Sequence, residues 1–180
     1  GSGLYLAGPA LVKAAIGQEV STEELGGAEM HASISGTIDF HEPDDEACIK
    51  RLRGLVHSDM ATPASQAAPF ESVKPARKSG DIFDIFTDEP GQQYDVKELL
   101  ECVIDDDSFN EYKADYGASI VCGYARIDGW PCGIVANQHM LTKRMMPGGK
   151  AGPSTSTSMP AVIYNDYADK SARFIMDCNQ

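Results

Sequence analysis

Residues Ser119–Gln138 read SIVCGYARIDGWPCGIVANQ. Ile120, Val121, Tyr124 and Ile127 supply one apolar run, Trp130, Ile134 and Val135 a second, and Asp128-Gly129 lies between them. A two-residue hairpin turn needs positive φ at both central positions, which aspartate and glycine accept more readily than branched residues do. The stretch therefore predicts two buried strands around one tight turn, a hairpin in a covered sheet. Cys122 and Cys132 could face each other across it, although their apolar neighbours favour packing over a disulfide. Periodicity alone carries no chemistry.

Working outward, His139–Pro160 is rich in Gly, Pro, Ser, Thr and Met and reads as a loop. Val162-Ile163-Tyr164 then leads into a final helix over about Asp166 to Cys178. Upstream, Asp95 caps a helix, Glu98 completes a capping box, and Val96, Leu99, Leu100, Val103 and Ile104 recur at helical spacing. Asp105-Asp106-Asp107 reads as the solvated end of that helix, and Ser108–Tyr116 as a shorter helical segment. Residues 58–93 change character: Ala, Pro, Ser and Gln dominate Ser58–Pro69, and aspartates mix with Ile82, Phe83, Ile85 and Phe86. That is a linker with a small apolar anchor.

At the start of the chain, a short apolar strand from Leu4 ends at Ala7-Gly8-Pro9, and Pro9 suits a first helical turn. Ser21 and Glu24 form a capping box. Pro43–Val56 brings Ala47, Cys48, Ile49, Leu52, Leu55 and Val56 to one face after an acidic start, an amphipathic helix. The expected organisation is 1–57, a linker over 58–93, and 94–180 with an inserted loop at 139–160.

The 180 residues are 42% hydrophobic and 23% charged, an ordinary globular composition. The net charge of −12 leaves no basic footprint for nucleic acid or an anionic membrane surface. No apolar run approaches the roughly 20 residues that cross a bilayer. Five cysteines without a C-x-x-C pair read as free thiols of a reducing compartment. His31, His41, His57 and His139 show no metal-ligand spacing, so no metal is expected. His31 reads as a structural hydrogen-bonder. Glu23-Glu24 and Asp44-Asp45-Glu46 read as first-turn helix acids, and Gly148-Gly149-Lys150 lacks the spacing of a phosphate loop.

The hairpin fits G-[YF]-A-R-I-x-G-x-P-x-G-I-V-A-N-Q from Gly123 to Gln138. It resembles the start of the C-terminal half of carboxyltransferase (β) subunits of biotin-dependent acyl-CoA carboxylases, the propionyl-CoA and methylcrotonoyl-CoA enzymes among them. A second block agrees: Gly8-Pro9, Leu11-Val12-Lys13, Gly17, Val20-Ser21, Glu23–Ala28, His31, Ser35-Gly36 and Asp39. Gln18-Glu19 departs from the commoner Gly-Glu order.

The resemblance implies an α/β, crotonase-like (ClpP/crotonase) ββα-spiral, represented in part: the end of the N-terminal half and the start of the C-terminal half. It implies transfer of a carboxyl group from carboxybiotin to an acyl-CoA, through an enolate held by backbone N–H pairs, because preorganised dipoles meet developing charge best. The family's oxyanion motifs are expected outside these residues, so no catalytic residue is assigned and the isolated segment is expected to be inactive. Biotin would arrive on a separate carrier, with a biotin carboxylase subunit as partner. A homo-oligomer, a hexamer of the full subunit, is implied, in the bacterial cytoplasm or the mitochondrial matrix.

By the same resemblance, Tyr112, Lys113, Gly123, Tyr124 and Arg126 belong to the acyl-CoA-binding region. Gly8, Pro9, Gly133, Asn137 and Gln138 lie near the biotin and acyl pocket. Lys143, Arg144 and Lys150 could meet CoA phosphates as point charges. The plainer alternatives are strand residues with structural partners and a solvated basic loop. Two related readings stay open: a glutaconyl-CoA decarboxylase α-type subunit, which passes the carboxyl group to biotin, and a non-catalytic assembly subunit.

Overall fold

The computed structural model describes residues 2–57, 70–86, 88–89, 91–149 and 152–179. The hairpin forms as its turn demands, but only its first strand is largely buried. The second alternates exposed and half-buried residues, with Trp130 52% and Val135 44% exposed, because the final helix covers one face only. Strand β2 (Ile120–Ile127) pairs antiparallel with β3 (Trp130–Asn137), Ile120 opposite Asn137 and Ile127 opposite Trp130. Asp128 and Gly129 take φ of 51° and 79°. This register sets Cys122 against Val135 and Cys132 against Ala125, so the two thiols do not face each other, and all five cysteines are free.

Three local expectations give way to tertiary demands. Asp105 is 2% exposed rather than solvated. Its carboxylate accepts the N–H groups of Asp128 (2.8 Å) and Gly129 (2.9 Å), satisfying donors that a tight turn otherwise leaves to water. The segment predicted to be helical after it instead holds strand β1 (Asn110–Tyr112), which supplies hydrogen bonds to the open edge of β2 and gives the sheet order β1-β2-β3. The preceding helix α6 covers only Val96–Leu100, and Asp95 caps the Lys97 N–H at 2.9 Å. Glu98 does not close a capping box; its carboxylate lies 3.4 Å from Arg77.

Helix α7 (Asn165–Cys178) covers one face of the sheet. Tyr167, Lys170 and Phe174, at the i, i+3, i+7 spacing of one helical face, are fully buried. The Phe174 ring packs against Tyr112 and Tyr124, centroids 5.4 and 4.8 Å apart, and with Ile120 and Cys122 these residues form the core cluster. Each aromatic side chain fully withdrawn from water contributes about 2 kcal/mol. Gly133 permits the close approach: a Cβ there would stand 2.6 Å from the Cys178 Sγ.

The N-terminal part is a run of short helices: α1 (Pro9–Ile16), α2 (Thr22–Gly26) and α3 (Ala28–Met30), the last continuing into a π-helical turn, His31–Ser35. The Ser21–Glu24 capping box is present, the Glu24 N–H donating to Ser21 Oγ at 3.2 Å and the Ser21 N–H to Glu24 Oε2 at 3.0 Å. The expected strand at Leu4 shrinks to a single bridge, Gly3 to Gly27, with the Leu4 N–H bonded to Gly26 O at 2.8 Å. Helix α4 (Asp45–His57) forms as patterned.

Of the stretch read as a linker, residues 58–69, 87 and 90 lie outside the described residues. Its described residues touch the rest of the chain: the Phe70 N–H donates to Gly129 O at the hairpin turn, and the Arg77 N–H to Glu101 O just after α6. It includes a 3₁₀ turn at Ser79–Asp81 and the single-turn helix α5 (Ile82–Ile85). The segment 139–160, read as a loop, holds an antiparallel ribbon instead, β4 (Thr142–Gly149) with β5 (Gly152–Ser158). Its base is held to α7 by a short Ser158–Tyr167 hydroxyl hydrogen bond. Among the described residues no helix is long and apolar enough to cross a membrane.

Candidate functional site

The sheet carries six of the predicted positions: Tyr112, Gly123, Tyr124, Arg126, Gly133 and Asn137. Tyr112 is buried under Phe174, and burial, with Asp39 nearby, pushes its phenol well above the usual tyrosine range. Tyr124, half-buried on the same face, is pushed up to about 12 by burial. Both rings therefore stay neutral at physiological pH, as packing and hydrogen-bonding groups rather than bases. Gly123 and Gly133 mark close approaches, since a Cβ on Gly123 would stand 2.5 Å from the Phe109 ring.

Lys113 has a different task. Its side chain is 2% exposed, and its ammonium pairs with Asp39 at 2.6 Å and donates to the carbonyls of Gly36 (2.5 Å) and Ile38 (3.3 Å). Its own N–H donates to Asp39 O at 3.0 Å, from a backbone with φ of 48°. One lysine thus bolts the loop after the π-helical turn to the end of β1. Arg126, opposite Pro131, is held by its backbone: its N–H donates to Ser108 Oγ at 3.1 Å and its carbonyl accepts from Asp105 N–H at 2.8 Å. Its guanidinium lies over the Phe70 ring at 5.2 Å, with Nε buried and lacking a hydrogen-bond partner.

At the far end of β3, Asn137 is exposed, while Gln138 is 4% exposed and hydrogen-bonded through both ends of its amide. The Gln138 Oε1 accepts from the N–H groups of Val96 (3.0 Å) and His139 (2.9 Å), and its amide donates to Asp95 at 2.8 Å. Gly8 and Pro9 stand outside the sheet, at the N-cap and first residue of α1. Lys143 is exposed on β4. Arg144, its neighbour, is committed to Asp166 (2.7 Å) and Asn165 (2.8 Å) and lies over the Tyr164 and Tyr167 rings. Lys150 lies outside the described residues.

Residue-type reasoning passed over three groups. Asp105 and Ser108 clamp the hairpin, and no local pattern marks them, because their partners lie about twenty residues away. Lys170 is fully buried on α7, its amine held down to about 8 by burial, with Gly117 O at 3.5 Å. A lysine at a core position of the helical stripe is the one signal that would have found it. His31 makes the two hydrogen bonds of its ring: Nε2 meets Leu4 O and Nδ1 meets Ser35 Oγ, each at 2.9 Å. Among the described residues no group of His, Cys, Asp and Glu could hold a metal ion.

Comparison with known proteins gives this geometry a context. A family model described as the carboxyl transferase domain matches residues 1–180. The biotin-dependent 3-methylcrotonyl-coenzyme A carboxylase beta1 subunit of Mycobacterium tuberculosis is 38% identical over 138 residues, 77% of this chain and 26% of that protein. The methylmalonyl-CoA decarboxylase subunit alpha of Veillonella parvula is 28% identical over 180 residues, 99% of this chain and 32% of that one. Among solved structures, transcarboxylase 12S, described as a hexamer assembly with hydrolysed methylmalonyl-coenzyme A bound, aligns with a TM-score of 0.65. The two are 33% identical, over 76% of this chain and 27% of that one. The chain spans about a quarter to a third of the length of these relatives.

Proposed function

The chain belongs to the carboxyl transferase domain family, and from that premise we propose that it is part of a subunit that moves a carboxyl group between biotin and an acyl-CoA. The match across all 180 residues is the observation that carries this reading. In the forward direction carboxybiotin supplies the carboxyl group and an enolate of the thioester accepts it, stabilised by preorganised backbone N–H groups. In this reading the fold is the crotonase-like ββα-spiral, with residues 1–57 closing one half, 58–93 linking, and 94–180 opening the other. Biotin is delivered by a separate carrier served by a biotin carboxylase, and the full subunit assembles as transcarboxylase 12S does, as a hexamer. The bacterial cytoplasm or the mitochondrial matrix is its compartment.

The residues fit the CoA substrate unevenly. Lys143 is exposed and suited to a phosphate, whereas Lys113 and Arg144 would reach one only by giving up Asp39 and Asp166. Tyr124, Gly123 and Arg126 present the hairpin to the acyl-CoA, and Gly133 and Asn137, with Gly8 and Pro9, border the biotin side. Tyr112 and Gln138 support these positions from beneath. The likeness to a decarboxylase α subunit favours a second direction, from acyl-CoA to biotin.

The test incubates the protein, in its native assembly, with free biotin and malonyl-, methylmalonyl-, methylglutaconyl- and glutaconyl-CoA in turn, and follows each thioester by mass spectrometry. Biotin-dependent loss of the carboxyl group from one member is expected and names the substrate. A folded, assembled protein that turns over none of them would move the reading to an assembly subunit.

A further inference from the structure

The π-helical turn His31–Ser35 brings together two side chains that the carboxyl-transfer reading does not use. A π-turn is wider than an α-turn, so residues four apart sit nearly above one another, and such turns recur at functional sites. Here that places Ser35 Oγ 2.9 Å from His31 Nδ1. The other ring nitrogen, Nε2, lies 2.9 Å from the carbonyl oxygen of Leu4. A carbonyl only accepts, so in the neutral imidazole Nε2 carries the proton and Nδ1 presents a lone pair. The Ser35 hydroxyl therefore donates to Nδ1; the His31 carbonyl, the rival acceptor for that proton, is farther away at 3.4 Å. Thr37 Oγ1, 2.7 Å from Ser35 Oγ, is left to donate to it. Ser35 is exposed and His31 half-buried. A base within hydrogen-bond reach of a hydroxyl, itself oriented by a third group, is the arrangement of an activated nucleophile.

We infer that Ser35 is an acyl-accepting nucleophile, with His31 as its base and the Leu4 carbonyl as the group that sets the tautomer, and that its substrates are activated acyl esters and thioesters. Ser35 Oγ attacks the acyl carbon while its proton passes to His31 Nδ1. The tetrahedral adduct collapses, the bond from the acyl carbon to the leaving oxygen or sulfur breaks, and the leaving group takes the proton from His31. The products are O-acyl-Ser35 and a free alcohol or thiol.

The test treats the full chain with p-nitrophenyl acetate and locates acetyl groups by peptide mass spectrometry. Ser35 is expected to acquire acetyl about 100-fold faster than Ser154 and Ser156, exposed hydroxyls with no imidazole bonded to them, a ratio at the low end of what a general base contributes. In His31→Gln that preference falls to parity while the circular dichroism spectrum is unchanged. Equal acetylation of the three serines in the unsubstituted protein overturns the inference, as does acetyl that stays on His31 or goes only to lysines. The ratio within the unsubstituted chain decides the matter even where His31→Gln does not fold.

Discussion

The sheet with its covering helix and the N-terminal helices differ in how their apolar residues are covered. Ten of the buried hydrophobic residues lie at or beyond Val96, and Ala32 stands alone among residues 2–57. In the N-terminal part many apolar residues of α1 and α4 face outward, with Leu11 60%, Ile16 70%, Leu52 56% and Val56 83% exposed, while Val12, Ala47 and Leu55 are half-buried. Both regions carry regular amphipathic patterns. An apolar stripe writes a face, but only a second layer buries it. In the sheet region β2 and α7 supply two layers to each other; α4 presents a patterned face on which Ile49, Leu52 and Val56 stay exposed.

The comparison breaks most readily at Phe174. Phe174→Ala removes the ring shared by Tyr112 and Tyr124 and is expected to destabilise the protein by about 3–5 kcal/mol in urea unfolding. A cost no larger than that of a surface change would remove the contrast altogether. Next comes the hairpin clamp. Asp105→Ala leaves the Asp128 and Gly129 N–H groups without their acceptor and is expected to cost about 2–3 kcal/mol, with Asp105→Asn costing less because one acceptor oxygen survives. If Ala and Asn behave alike, the carboxylate is not what holds the turn.

Lys170 tests the same region by pH. Its amine is held down to about 8 by burial, below the ordinary lysine value of 10.5. Between those values the unfolded chain binds more protons than the folded one, so this group's contribution to stability rises with pH over that window and its penalty is complete below it. Burial pushes the Cys122 thiol up to about 11, which acts in the opposite sense. The informative quantity is therefore the difference between the protein and Lys170→Met. The variant's relative stability should be greatest near pH 7 and decline as the pH rises from about 8 to 10.5; a constant difference would show that the amine is not titrating in a buried site. The smallest effect belongs to the other region. Leu11→Ser on α1 is expected to stay within about 0.5 kcal/mol in the same urea assay, as surface substitutions usually do.

How much was legible follows the range of each interaction. The hairpin could be read because its turn is a two-residue rule satisfied by Asp128-Gly129, and the Ser21–Glu24 capping box because its partners are three residues apart. Strand β1 could not be read: three residues carry no period, and their state is set by the open edge of β2. The ribbon of β4 and β5 reads as a loop because the Gly and Pro at the facing ends of the two strands are weak strand signals, and its pairing is made across the chain. At the candidate site the resemblance located the hairpin, but it could not say that Lys113 is bound to Asp39, Arg144 to Asp166 and Gln138 to three partners.

By itself the sequence determined the family, the hairpin and its turn, the Ser21–Glu24 capping box and the final helix, all encoded over a few neighbouring residues or over a contiguous motif. Only the tertiary structure decided that Asp105 is a buried clamp, that Lys170 is a buried amine, and that His31 Nε2 meets the carbonyl of Leu4. Burial and hydrogen-bond partnership are properties of space, and residues far apart along the chain acquire them only when the layers close.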